Sequence, residues 1–209
     1  IDTAELYENY SYIREAQKKT TKNLVVATKS YSYTKEMMEK SLEKARKEMD
    51  RDMIDIFLLH EQESILTVKG HWEALEYLLA AKAKGWVRAV GISTHHIKGV
   101  EAAIEYPEIE IIHPIVNFRG LGILDGSIET MLQRLEQAKK LGKGIYGMKP
   151  IGGGNLIGQA DEALCWAFNR PELDSIAVGM QSIAEVETNI ASLEGKNPPL
   201  DYQENLKSK

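Results

Sequence analysis

Four polar residues in the first third of the chain, Asp2, Tyr7, Lys29 and His60, are of types that hold and move protons. Asp2 follows an apolar Ile1, and Tyr7 comes five residues later. Lys29 closes the apolar run 24–29, and His60 closes the run 54–60. Each alone has a plain structural reading: a tyrosine packs, a lysine at a strand end is solvated, a histidine there is a structural imidazole. Set at successive strand ends, they occupy the places where a parallel barrel keeps its chemistry.

The elements that must position them are legible as alternating patterns. Residues 24–29, 54–60, 87–93, 144–148 and 175–179 read as strands, most of them near-continuous apolar runs suited to burial on both faces. Residues 115–117 read as another, with Pro114 tolerable only as its opening residue. Helices fill the gaps. Met38, Leu42, Ala45 and Met49 form a stripe that Thr34 can cap. Trp72, Leu75 and Leu79 form another, ending at Gly85, and Ile128, Met131, Leu135 and Ala138 a third, stopped by Gly142. Ser182 and Glu185 read as a capping box opening a last helix through Val186 and Ile190.

The strand ends fall near Lys29, His60, Ser93, Asn117, Met148 and Gly179, at spacings of 31, 33, 24, 31 and 31 residues. A strand–helix unit of that length is what a parallel array requires. The expected fold is α/β, a (β/α)8 TIM barrel lacking its first strand within these residues. An open doubly wound sheet is the alternative, without a G-x-G-x-x-G to support it. We expect the barrel over 1–196, incomplete at its N-terminal end, and a polar tail over 197–209 carrying Pro198 and Pro199. The chain starts at Ile1 rather than Met and reads as a piece of a longer one.

Composition narrows the function. The 209 residues are 43% hydrophobic and 27% charged, with a net charge of −5. That balance argues against nucleic acid or an anionic membrane as the main partner, because counterion release needs a basic face. No apolar run approaches the roughly 18 residues of a membrane span. Cys165 is the single cysteine, so no intrachain disulfide can form. It reads as an inert buried or half-buried thiol in a reducing, cytoplasmic setting.

Asp2-Thr3-Ala4-Glu5-Leu6-Tyr7 resembles the Asp-Thr-Ala-x-x-Tyr motif of aldo-keto reductases. Thr28-Lys29 resembles their Thr-Lys strand, and residues 55–60 their Asp-x-x-Leu-x-His strand. Residues 85–93 are close to their Gly-Lys-Val-Arg-x-Ile-Gly-x-Ser segment. The resemblance implies an NAD(P)H-dependent oxidoreductase that moves a hydride between a nicotinamide cofactor and a small carbonyl or alcohol substrate. It assigns Tyr7 as general acid, Lys29 as the cation that lowers its pKa, Asp2 as the partner of Lys29, and His60 as the group that orients the substrate oxygen. At about 4 Å and an effective dielectric near 20, an ammonium favours phenolate by roughly 4 kcal/mol.

The resemblance also points to cofactor contacts. Ser93 matches the family's serine, and Thr94 stands where Asn is common. Asn117 falls in Val-Asn-Phe where Val-Asn-Gln is usual. Met148, Lys149, Gly152 and Gly153 belong to a Pro-Ile-Gly-Gly-Gly loop placed along the pyrophosphate, whose glycines let backbone N–H groups approach phosphate. Gly179 and Glu185 replace the Lys and Arg that hold the 2′-phosphate of NADPH, while Asn189 matches an adenine-contacting Asn. NADP is the expected cofactor and NAD the other candidate.

Two readings from other classes remain. A metal-dependent barrel hydrolase would need converging His and carboxylate ligands, but H-x-H and H-E-x-x-H are both absent, and adjacent His95 and His96 point apart on extended backbone. A silent nicotinamide-binding barrel, serving as sensor or regulatory subunit, would keep the cofactor site without turnover. The Lys-Pro-Ile-Gly-Gly-Gly loop and polar tail also resemble a subgroup that carries an iron–sulfur segment after the barrel.

Overall fold

The computed structural model describes residues 1–196; the polar tail expected over 197–209 lies outside the described residues. Among the described residues, six strands form one parallel sheet: β1 (Ala27–Ser30), β2 (Ile54–Leu59), β3 (Val87–Thr94), β4 (Ile111–Pro114), β5 (Gly144–Met148) and β6 (Ser175–Ala177). Their order in the sheet is their order in the chain. A doubly wound sheet reverses direction at a switch point, so strict chain order excludes that alternative and leaves a singly wound barrel wall. Ile1 and Asp2 extend the wall beyond β1, through a bridge from Asp2 to Ala27. No pairing joins β6 to Ile1–Asp2 among the described residues, so the wall stays open along one seam.

Helices α1 (Tyr10–Lys18), α2 (Lys35–Met49), α3 (Ile65–Gly70), α4 (Trp72–Ala83), α5 (Ile97–Glu105), α6 (Ile128–Lys140), α7 (Ala160–Phe168) and α8 (Ile183–Leu193) fill the connections. The α2 stripe of Met38, Leu42, Ala45 and Met49 is fully buried, and Thr34 accepts the Met37 N–H as its cap. Gly85 and Gly142 close α4 and α6 with φ of +76° and +81°, a region that favours glycine. None of these helices is long and apolar enough to cross a membrane.

Three local readings change. Strand β4 ends at Pro114 instead of opening there; Ile111 and Ile112 pair with Gly91 and Ile92 ahead of it. In a parallel strand alternate N–H groups face opposite neighbours, so Pro114 costs one bond, and Ile115 N–H resumes the ladder to Thr94 O at 3.1 Å. The capping box at α8 is only half made: Ser182 accepts from Glu185 N–H, but the Glu185 carboxylate takes the Gln181 N–H instead. Cys165 is exposed, because α7 turns Ala163, Leu164 and Ala167 inward and leaves 165 on the outer face.

Candidate active site

Period-two alternation decides which side chains enter the barrel. Along β1, Ala27 and Lys29 point into a central cavity, while Thr28 and Ser30 point outward, toward Tyr10 and toward Ser32 and Ser41. The cavity has a volume of about 1080 Å³. Asp2, Tyr7, Lys29 and His60 all line it.

Lys29 is 2% exposed, and its ammonium donates to Asp2 Oδ2 at 2.8 Å and to the Thr3 carbonyl at 2.7 Å. Burial pulls its pKa down, and the Asp2 carboxylate opposes that. Tyr7 rides on a single 3-10 turn, Glu5–Tyr7, pinned to α2 by the Ser41 hydroxyl donating to Glu5 at 2.7 Å. The ammonium lies 5.1 Å from the Tyr7 ring centroid. His60 follows β2; its ring meets Tyr7 edge-on at 6.4 Å and stacks on Tyr31 at 4.3 Å. Burial and the nearby Lys29 push the imidazole pKa down to about 4, so it is neutral near pH 7.

One expectation is corrected here. Tyr7 was expected to have its pKa lowered by Lys29; instead it lies above the ordinary value, raised by burial and by the negative charges of Asp2 and Glu61. The physical reason is the direction of the ammonium. Its described hydrogen bonds go to Asp2 and Thr3, and it meets the tyrosine at the ring.

The expected cofactor contacts divide. Met148, Lys149, Gly153 and Gly179 line the cavity, with Gly154, Met180, Gln181 and Glu185 completing that wall. Nothing lies within 4 Å of a Cβ built on Gly153, Gly154 or Gly179, so the backbone there is open to a ligand. Ser93, Thr94, Gly152, Asn117 and Asn189 do not line it. Ser93 Oγ accepts the Glu61 N–H, and Thr94 Oγ1 bonds His96. The Asn117 amide is closed on the Leu121 backbone through both its oxygen and its nitrogen. Gly152 is buried under Leu121 and Leu156, and Asn189 is a buried position of α8.

The cavity also gathers Glu61, His95, His113 and Tyr146, none of them among the expected catalytic or cofactor-binding residues. Glu61, at φ +52°, accepts from the Tyr31 hydroxyl at 2.7 Å and faces His95 at 3.6 Å. His95 in turn meets the Lys149 ammonium at 3.0 Å. Deeper, His113 and Tyr146 stack beside Asp2. Their signal was alternation: both sit two residues from another cavity-lining position of the same strand, Ile111 and Gly144. No group of three or more His, Cys, Asp or Glu among the described residues could hold a metal ion.

The profile of the Aldo/keto reductase family matches residues 1–163. An aldo-keto reductase from Bacillus halodurans, in its holo form, superposes with a TM-score of 0.76 at 18% identity, over 99% of this chain and 80% of that one. An aldo-keto reductase from Klebsiella pneumoniae in complex with NADPH gives 0.72 at 20% identity, over 99% and 77%. At these identities the likeness is one of fold. No curated protein gives a significant match by sequence.

Proposed function

This chain belongs to the aldo-keto reductase family, whose members are NAD(P)H-dependent oxidoreductases, and we propose that it reduces a small carbonyl compound, or oxidises the matching alcohol, with Tyr7 as general acid. The observation that carries the reading is the meeting of Asp2, Tyr7, Lys29 and His60 in one cavity, drawn from three successive strand units.

A bound nicotinamide dinucleotide supplies the hydride. The open glycine wall at Gly153, Gly154 and Gly179, with Lys149 beside it, fits such a group, because unshielded backbone and one ammonium can meet phosphate. NADPH is the first candidate and NADH the second.

The protein residues then handle the proton. Tyr7 is a phenol at neutral pH, as an unperturbed tyrosine is, and its raised pKa is a cost that proton donation to a substrate oxygen has to overcome. The phenolate left behind would lie near the Lys29 ammonium. The ammonium stands 5.1 Å from the ring centroid, and its attraction for the phenolate offsets part of that cost, weakened because the tyrosine is half exposed. Asp2 balances the charge of Lys29 and holds it in place. Neutral His60 keeps one N–H to donate to the same substrate oxygen.

The test is Tyr7→Phe in the full chain, with NADPH and NADH oxidation followed against a reactive dicarbonyl. Turnover should fall by about 10² to 10⁴, the usual worth of a positioned acid, while cofactor binding holds. Retention of more than about a tenth of the parent rate would remove Tyr7 from the role. A parent chain that binds cofactor without turnover would instead support the silent-barrel reading.

A further inference from the structure

We propose that Tyr146 is a positioning residue of this site: its hydroxyl holds one carboxylate oxygen of Asp2 and so keeps the other aimed at Lys29. The inference rests on the proton-transfer reading above and adds a residue from the far side of the barrel.

Tyr146 lies in the middle of β5 and faces inward. Its hydroxyl is 3.1 Å from Asp2 Oδ1, across 144 residues of chain. The other oxygen, Oδ2, takes the Lys29 ammonium. A carboxylate turns easily about its last torsion, which has a broad, two-fold profile. A donor fixed on one oxygen therefore sets where the second one points. Burial and the adjacent Asp2 keep Tyr146 firmly protonated, so the phenol donates.

The ring that carries this hydroxyl is itself held. The β4–β5 register pairs Ile111 with Gly144 and Ile112 with Ile145, which brings His113 beside Tyr146. The two rings stack with centroids 3.9 Å apart and planes 16° from parallel. His113 is 1% exposed, and its Nδ1 lies 2.7 Å from the Tyr146 carbonyl. In the neutral ring that contact requires the proton on Nδ1, which leaves Nε2 a lone pair. Nε2 lies 3.6 Å from Asp2 Oδ1, outside hydrogen-bond reach. His113 therefore braces the ring, and Tyr146 supplies the donor.

The consequence falls on Lys29. It faces Asp2, the Thr3 carbonyl, the Tyr7 ring, His60 and Lys149; among the charged groups, Asp2 raises its pKa while Lys149 lowers it. With Asp2 held on one side by Tyr146, the ammonium stays fixed beside the Tyr7 ring.

The experiment is Tyr146→Phe in the full chain, which removes one hydroxyl and keeps the stacking ring. We expect kcat to fall roughly ten- to hundredfold, in line with losing a hydrogen bond to a charged group, with KM and cofactor affinity changed less than about twofold. The alkaline limb of the kcat/KM profile should move down by about one pH unit, because a less firmly placed Asp2 supports the ammonium less. Titration of the Lys29 Cε resonance in 13C-lysine-labelled protein, without substrate, should show the same displacement. Asp2→Asn should displace that resonance in the same direction, and adding Tyr146→Phe to it should add little. A lower Tm with an unmoved Lys29 titration and an unmoved pH profile would overturn the proposal and leave Tyr146 as packing. If Tyr7→Phe retains turnover, the proton-transfer reading falls, while the Lys29 titration still decides the role of Tyr146.

Discussion

Acid should destabilise this protein partly through His113, and the size of the effect follows from its burial. The imidazole is 1% exposed, and burial holds its pKa down to about 4. In the unfolded chain it returns to about 6.5. Between those values the unfolded state binds the proton that the folded state refuses. Stability from this group is therefore complete above about pH 6.5 and is lost as pH falls toward 4. Going from pH 7 to pH 5 removes roughly 2 kcal/mol on this account. His60, also near 4, acts in the same direction, so the comparison must isolate one group. His113→Phe does so, since it keeps a ring against Tyr146 and deletes the titration. Urea unfolding of both proteins at pH 7 and pH 5 gives four stabilities. The variant should lose about 2 kcal/mol less than the parent over that interval, whatever its absolute stability. Equal losses, within about 0.5 kcal/mol, would mean that His113 is protonated or solvated in the folded state, and the burial argument would fail.

Gly91→Ala places a Cβ 1.9 Å from the Ile111 carbonyl oxygen, where β3 and β4 pair; a loss of about 3 kcal/mol or more is expected in thermal denaturation, since backbone must move. Asp55 is 2% exposed and accepts from Arg51 at 2.7 Å and from Val26 N–H at 3.0 Å, with Arg88 at 2.9 Å. Asp55→Ala leaves the nearly buried Arg51 without its carboxylate and should cost about 3–5 kcal/mol in urea unfolding. For the cofactor, Gly179 offers no cation, and Glu185 stands in the cavity wall with its carboxylate on the Gln181 N–H. NADPH should therefore bind less than about a hundredfold tighter than NADH in calorimetric titration, a gap under 2.7 kcal/mol. A larger preference would assign the 2′-phosphate to another cation.

The wall of the barrel was legible because most of its strands lie within near-continuous apolar stretches, as in β2 and β3, and its larger helices carry full stripes, as in α2 and α6. Helix α1 was not legible, since it is only nine residues long and buries just Tyr10 and Ile13, too few apolar positions to stand out as a stripe. Strand β4 was displaced because Pro114 draws the eye to a boundary, while His113 hides an inward position behind a polar name. At the site, Asp2, Tyr7, Lys29 and His60 were readable because strand ends and a family motif coincide on them. Asn117 was read as a cofactor contact from its match to the family's Val-Asn-Gln, and its amide closes the local turn to Leu121. The link between Tyr146 and Asp2 has no local signature: it exists only once strands far apart in the chain face each other across the barrel.

The strict chain order of the strands also bears on how the protein assembles. Among the described residues every strand pairing joins neighbours in sequence, so each new unit can dock on the one made before it, with modest loop closure at each of these steps. Asp2, Tyr7, Lys29 and His60 all precede β3 in the chain and can gather before the later strands dock. The hydroxyl that steadies Asp2 arrives only with β5, and the glycine wall only after that. During synthesis the groups proposed to handle the proton would thus precede the surface proposed for the hydride donor, and the site would reach its working geometry only once β5 and the glycine wall are in place.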